Sequence, residues 1–241
     1  MKIEVKGAII SDSEQWIYDW FDIPATSANK VNKLLNQAQA GEEIEVLINS
    51  GGGSVFAGSE IYTALKSYKG KVTGTITGIA GSAASVIAMG CKELQISPTA
   101  QIMIHNSQGA FEGDYNDMQL GADILKNINE SIANAYQIKT GKPHAELLSM
   151  MNNETWMNAQ KAKELGFVDK IMFQDEAQFT NDITDKNGVI PKAVIEKMRA
   201  ELKGKGIENH IAKSGNMVND TEEKIKLAKA KLKLQMTIGR K

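Results

Sequence analysis

Between residues 43 and 172 strand-like apolar runs repeatedly empty into small residues and then into helical periodicity, and this alternation constrains the fold more than any other feature. The run "EIEVLINS" (43–50) ends on Gly51-Gly52-Gly53, and "EIYTALKSYKG" then carries a helical pattern to Gly70. The strand "KVTGTITG" (71–78) is followed by "TGIAGSAASVIAMG" (77–90), a stretch of very small residues that reads as a short helix around Ser82. "ELQIS" and "AQIMIHN" read as strands with Pro98 in the turn between them, and "NDMQLGADILKNINESIANAYQIKTG" (116–141) as one long helix. In that helix Leu120, Ile124, Ile128, Ile132 and Tyr136 recur every fourth position, the spacing of one helix face. "NAQKAKELG" closes the series as a helix and "FVDKIM" as a strand; upstream, "KIEVKGAII" is a strand, and "TSANKVNKLLNQAQA" is a helix capped by Thr26 or Ser27 and stopped at Gly41. Alternation of this kind predicts an α/β class with largely parallel, buried strands.

Composition narrows the function classes. A net charge of −1 argues against a nucleic-acid binder held mainly by phosphate contacts. No apolar run approaches the roughly 18 residues of a membrane span, and "MKIEVKGAII" lacks a signal-peptide core. The single cysteine, Cys91, excludes an internal disulfide framework and suits a reducing compartment. A cytoplasmic protein is expected. From Gln174 onward there are 14 Lys and Arg against 10 Asp and Glu, with Phe179 the sole aromatic, whereas the first 173 residues carry 14 against 19. This shift predicts a domain over 1–173 and a charged, partly disordered linker and helical tail over 174–241.

Three stretches carry candidate chemistry. Gly51-Gly52-Gly53 follows a strand and precedes a helix, so its backbone can adopt positive φ and admit a close neighbour, or it is simply a flexible turn. It matches neither phosphate-loop nor dinucleotide fingerprints. Ser82 stands at the next strand-to-helix junction between Gly81 and Ala83. A sharp turn there would expose its hydroxyl as in a nucleophile elbow, although tight helix packing would also explain the small residues. Ser85, the competing serine, lies inside the helix, where a hydroxyl more often bonds a backbone carbonyl. His105 closes an apolar strand at the sheet edge where α/β sites gather, although a lone histidine there is often structural. Neither His144 nor His210 stands at metal-ligand spacing from it, so no metal is expected.

Together, "INSGGGSVFAGSEIY", "GIAGSAASVIAMG", "QIMIHN" and "ETWMNAQKAKELGFVDKI" resemble the proteolytic subunit of Clp proteases, and within that family the phage and prophage prohead proteases. The resemblance spans about Lys2 to Ile171. It implies a Clp/crotonase-type superhelix of β-β-α units with a protruding handle of a strand and a long helix. It makes Ser82 the nucleophile, His105 the general base and Glu154 the third member, where the family has aspartate, with Asn152 or Asn153 as alternatives. The oxyanion hole falls on the backbone N–H groups of Gly53 and Ala83, with Gly52 adjacent. Substrate would lie as an added strand beside "QGAFEGD", against Gly52, Gly109, Ala110 and Phe111. The family's S-P-G-G reads Ser50-Gly51-Gly52-Gly53 here. No cofactor is implied. The implied partners are a peptide or unfolded-protein substrate, a homo-oligomeric ring of six or seven subunits, and phage capsid or scaffold proteins. Docking of an AAA+ unfoldase is left open, because the chain starts almost at the first strand.

Two other readings use the same residues. A crotonase-type acyl-CoA enzyme would employ paired backbone amides for a thioester enolate, but no paired glutamate acid/base stands near the glycines. A non-catalytic protease-like ring would account for Glu154 in place of aspartate.

Overall fold

The computed structural model describes residues 1–174. In chain order the elements are β1 (Lys2–Ile9), α1 (Gln15–Trp20), β2 (Ala25–Thr26), α2 (Ala28–Gln37), β3 (Ile44–Gly53), α3 (Val55–Ser67), β4 (Val72–Gly81) and α4 (Ala83–Met89). They continue with β5 (Glu93–Ile96), β6 (Gln101–Ile104), α5 (Tyr115–Thr140), α6 (His144–Asn152), β7 (Thr155–Asn158), α7 (Ala159–Glu164) and β8 (Lys170–Ile171). The expected α/β alternation is what forms. The expected tail, including "TEEKIKLAKAKLKLQM" and His210, lies outside the described residues.

The sheet runs β2-β1-β3-β4-β5-β8, every neighbouring pair parallel. It forks at β4. Thr73–Ile76 pair with β5, while Ile79–Gly81 pair with β6, which in turn pairs antiparallel with β7. Ile3, Val5, Val46, Ile48, Ile76 and Ile87 are among the buried side chains of the core. Each such side chain contributes about 1.5–3 kcal/mol by leaving water. The strands are largely parallel as predicted, but β1 and β3 bury only one face: their residues alternate between buried and exposed. The open face is charged and carries the ion pair of Lys2 with Glu45 at 3.7 Å, so period-two patterning here reports a half-covered sheet.

Some local expectations shift. The first helix of the series, α2, ends at Gln37 rather than running to Gly41, and Ser27 occupies its N-cap without a side-chain bond. Thr26 instead ties β2 to β1, its hydroxyl accepting from the Lys6 N–H at 3.0 Å and donating to the Lys6 carbonyl at 2.9 Å. His144 begins α6. Segment 108–114, which the resemblance implied as the handle strand, forms no strand; a strand needs a hydrogen-bonding neighbour, and residues 1–174 supply none there.

The long helix forms almost as read. α5 begins at a capping box, with the Asp114 carboxylate accepting from the Asn116 and Asp117 N–H groups, and ends at Gly141 in the left-handed region, φ 69°. Its 26 residues span about 39 Å at 1.5 Å per residue. Its apolar face is divided. Ile132 and Tyr136 are 8% and 1% exposed, whereas Leu120 and Ile124 are 59% and 42% exposed. The C-terminal half is rooted in the core and the N-terminal half projects from it.

Candidate active site

The fork in the sheet builds the site. β4 and β6 are parallel neighbours, with Gly81 opposite Met103, so residues just past their ends emerge at one edge. The Ser82 N–H donates to the Met103 carbonyl at 2.9 Å, the last rung of that ladder. Past this rung the chain turns sharply: Ser82 has φ 51° and ψ −125°, a conformation that costs a non-glycine residue about 1–3 kcal/mol. The turn lifts the hydroxyl off α4, and His105 Nε2 lies 2.8 Å from Ser82 Oγ.

The glycines explain how a substrate could reach this pair. Gly52 and Gly53 hold φ of 106° and 147°. A Cβ on Gly52 would stand 2.6 Å from Ser82 Cβ and 3.0 Å from Ala83 N, and one on Gly53 would stand 2.1 Å from the Ile9 carbonyl oxygen. Gly51, by contrast, faces open space. The Gly52 N–H is held by Ser50 Oγ at 3.1 Å, and that hydroxyl donates to the Gly7 carbonyl at 2.6 Å. Ser54 N–H donates to the Ile9 carbonyl at 2.8 Å, so by strand alternation the Gly53 amide turns to the opposite edge, towards β4. Ala83 opens α4, and the first N–H of a helix has no intrahelical acceptor.

Glu154 sits in register beside the pair but outside its hydrogen bonding. Thr155 opposes Ile104 in the β6–β7 ladder, so Glu154 precedes the rung from which His105 departs. With φ 45°, Glu154 turns its carboxylate outward, where Oε1 accepts from Trp156 Nε1 at 3.2 Å. Among the described residues no hydrogen bond joins Glu154 to His105. Of the alternatives, the Asn152 side-chain oxygen accepts from Asn106 Nδ2 at 3.2 Å, and Asn153 caps the end of α6. Gly109, Ala110 and Phe111 are exposed in the irregular segment after His105, with the Phe111 ring laid flat over Gly121 of α5, where a Cβ would meet it at 2.5 Å. Ser107 anchors this segment to α5, its N–H and hydroxyl both donating to Asn129 Oδ1, at 2.7 and 2.8 Å.

Ser85 resolves as a buried helix residue. Its hydroxyl lies 2.6 Å from the Ser82 carbonyl oxygen and 2.7 Å from the Tyr136 hydroxyl. The sequence singled out Ser85 but not Tyr136, whose place in an apolar series hid its polar end. Cys91 is no competing nucleophile: burial pushes its thiol up to about 12. Among the described residues no cluster of His, Cys, Asp or Glu could hold a metal ion, and no helix is long and apolar enough to cross a membrane.

A family model described as Clp protease matches residues 16–175, more than half of the chain. The chain belongs to the Clp protease family. The ATP-dependent Clp protease proteolytic subunit of Porphyromonas gingivalis is 31% identical over 140 residues, 57% of this chain and 63% of the relative. The protein of the same name from Bacteroides fragilis is 30% identical over 142 residues, 58% of this chain and 69% of the relative. The chain thus spans somewhat less than two thirds of the first relative's length. Two positions at which the sequence resemblance implies a departure from the family pattern have a plain geometry in this member of the Clp protease family. Gly51, where the resemblance implies proline, has room for a side chain, and Glu154, where it implies aspartate, stands on a left-handed turn.

Proposed function

We propose that this chain is a serine endopeptidase in which Ser82 attacks the scissile carbonyl and His105 takes the hydroxyl proton. The observation that carries this reading is the 2.8 Å approach of His105 Nε2 to Ser82 Oγ at a strained turn. A serine hydroxyl is a weak nucleophile until a neighbouring imidazole removes its proton. The N–H groups of Gly53 and Ala83 receive the tetrahedral oxyanion, a contribution worth about 10²–10³ in rate per donor. Glu154 steadies the imidazolium once its carboxylate leaves the Trp156 indole for His105.

The peptide lies beside Gly109, Ala110 and Phe111, whose backbone has no strand partner among the described residues and would gain one from an extended substrate. Val86, one turn after Ser82, lines a groove of about 500 Å³ together with Val55, Phe56, Ile128 and Ile132, which favours an apolar side chain. Leu120 and Ile124, uncovered on the projecting half of α5, support assembly of several copies into a ring of six or seven. Capsid or scaffold proteins of a phage are the proposed substrates, resting on the sequence resemblance to prohead proteases. The division into a protease domain over 1–173 and a tail over 174–241 belongs to the same proposal, as does a cytoplasmic location.

The test is hydrolysis of a fluorogenic peptide and of unfolded casein by the intact chain and by Ser82→Ala, with fluorophosphonate labelling alongside. The expected result is labelling at Ser82 and loss of hydrolysis in the variant. Undiminished hydrolysis by Ser82→Ala would overturn the assignment. Binding of an acyl-CoA thioester without peptide hydrolysis would favour the crotonase-type reading.

A further inference from the structure

The hydroxyl pair beneath the elbow has no part in the chemistry described above. Ser85 is fully buried and Tyr136 is 1% exposed, and a buried hydroxyl left without a partner costs about 1–3 kcal/mol. Their polar ends meet at 2.7 Å, and Ser85 Oγ lies 2.6 Å from the Ser82 carbonyl oxygen. A carbonyl only accepts, so the single Ser85 hydroxyl proton goes to Ser82; Ser85 Oγ must then accept from the Tyr136 O–H. The direction of the chain is therefore fixed: Tyr136 O–H to Ser85 Oγ, Ser85 O–H to the Ser82 carbonyl. The phenol keeps its proton at neutral pH, because burial raises its pKa. Its ring is held against Phe167 with centroids 5.7 Å apart.

The acceptor at the end of this chain is half of the peptide unit that carries the Ala83 N–H. A peptide unit is planar, so fixing its carbonyl fixes the direction of its amide. Donation to the carbonyl also polarises the unit and strengthens the N–H as a donor, as in any hydrogen-bonded chain. Three donors converge on this one oxygen: the Ser85 hydroxyl, the Ser85 N–H at 3.0 Å and the Val86 N–H at 3.4 Å. A strained turn such as that at Ser82 persists only where its surroundings over-determine it.

We propose that Tyr136 and Ser85 are positioning residues for acyl transfer: together they lock and polarise the Ser82–Ala83 peptide unit, so that its N–H is aimed at the developing oxyanion. The pair also joins the rooted end of α5 to the nucleophile's backbone. The inference rests on the endopeptidase reading above, and it concerns transition-state stabilisation, not substrate binding.

The test uses the full chain in its native assembly, with kcat and KM for a fluorogenic peptide. It adds the inhibition constant of a peptidyl boronic acid, whose tetrahedral adduct presents an oxygen to the same amide. Ser85→Ala is expected to lower kcat about tenfold to a hundredfold and to weaken the boronate by a similar factor, with KM within about twofold; this is short of the full loss of one donor. Tyr136→Phe keeps the ring and its contact with Phe167, and is expected to lower kcat about threefold to tenfold. The double variant should be no slower than Ser85→Ala, because the phenol acts only through that serine. Wild-type kcat and boronate affinity in Tyr136→Phe, or losses that multiply in the double variant, would overturn the proposal. Should Ser85→Ala fail to fold, Tyr136→Phe decides alone through its kcat and boronate affinity. Ser82→Ala, assayed beside them, separates the two claims. Hydrolysis surviving in it sinks the enzyme reading, whereas an inactive Ser82→Ala with a fully active Tyr136→Phe sinks only this inference.

Discussion

The two strand-to-helix junctions that meet at the site are built on one plan with opposite allocations of strain. At the β3–α3 junction the positive φ values fall on Gly52 and Gly53, which adopt them without steric cost. The following serine, Ser54, is an ordinary N-cap whose hydroxyl accepts from the Ala57 N–H at 3.3 Å. At the β4–α4 junction the positive φ falls on the serine itself. Ser82 occupies the N-cap position but makes no cap bond; its oxygen faces His105 instead. Two serines at equivalent helix starts thus do different work. One satisfies its helix, and the other is withheld from it by a backbone turn that Gly81 and Gly52 leave room for.

Breaking the second junction has the largest expected effect. Ser82→Ala should abolish peptide hydrolysis, a loss on the order of 10⁶ where a triad nucleophile is removed, while the thermal transition stays close to that of the parent. Gly52→Ala should follow, lowering kcat/KM by more than about a hundredfold, since its new methyl collides with Ser82 and the Ala83 amide and disturbs an oxyanion donor. Gly51→Ala is the matched control: with open space around it, it should leave activity near the parent value.

Stability measurements sharpen the same contrast. Ser54→Ala should cost about 1 kcal/mol by removing a working cap, with hydrolysis largely retained. Ser82→Gly should raise stability by about 1 kcal/mol by relieving the turn, and should be inactive. A denaturation series on these two variants would therefore move in opposite directions. The effect with the least bearing at neutral pH, since it appears only in alkali, concerns Cys91. Its folded-state thiol is raised from an ordinary 9.0 to about 12, so above pH 9 the unfolded chain sheds this proton first. Stability present below pH 9 is accordingly lost as pH rises towards 12, and Cys91→Ala should flatten that alkaline decline. In the native state the same thiol should react with iodoacetamide far more slowly at pH 8 than after unfolding.

Much of this arrangement was legible in the residues. The α/β class, the parallel pairing, the long helix to within one residue at each end, and the places of Ser82 and His105 each at the end of a strand all follow from local pattern and position. Less legible were α1, β2 and β7, because strands of two and four residues and a six-residue helix with no buried side chain carry too little periodicity to stand out. The handle segment differs for another reason: the strand was implied by the resemblance and not by its residues, and an extended stretch forms no strand without a neighbour. Tyr136 was read as one more core position, since period alone cannot tell a buried ring from a buried ring with a donor at its tip.

The sequence by itself determined where chain direction, apolar faces and glycine freedom must go, because those follow from backbone sterics and from spacing along one segment. Only the tertiary structure decided that β4 pairs with β6 and so brings residues 82 and 105 within 2.8 Å, that Glu154 turns to Trp156, and that Ser85 and Tyr136 join. These outcomes depend on distances between segments remote in the chain, which are set by how the sheet forks and how the core packs. No local pattern carries that information.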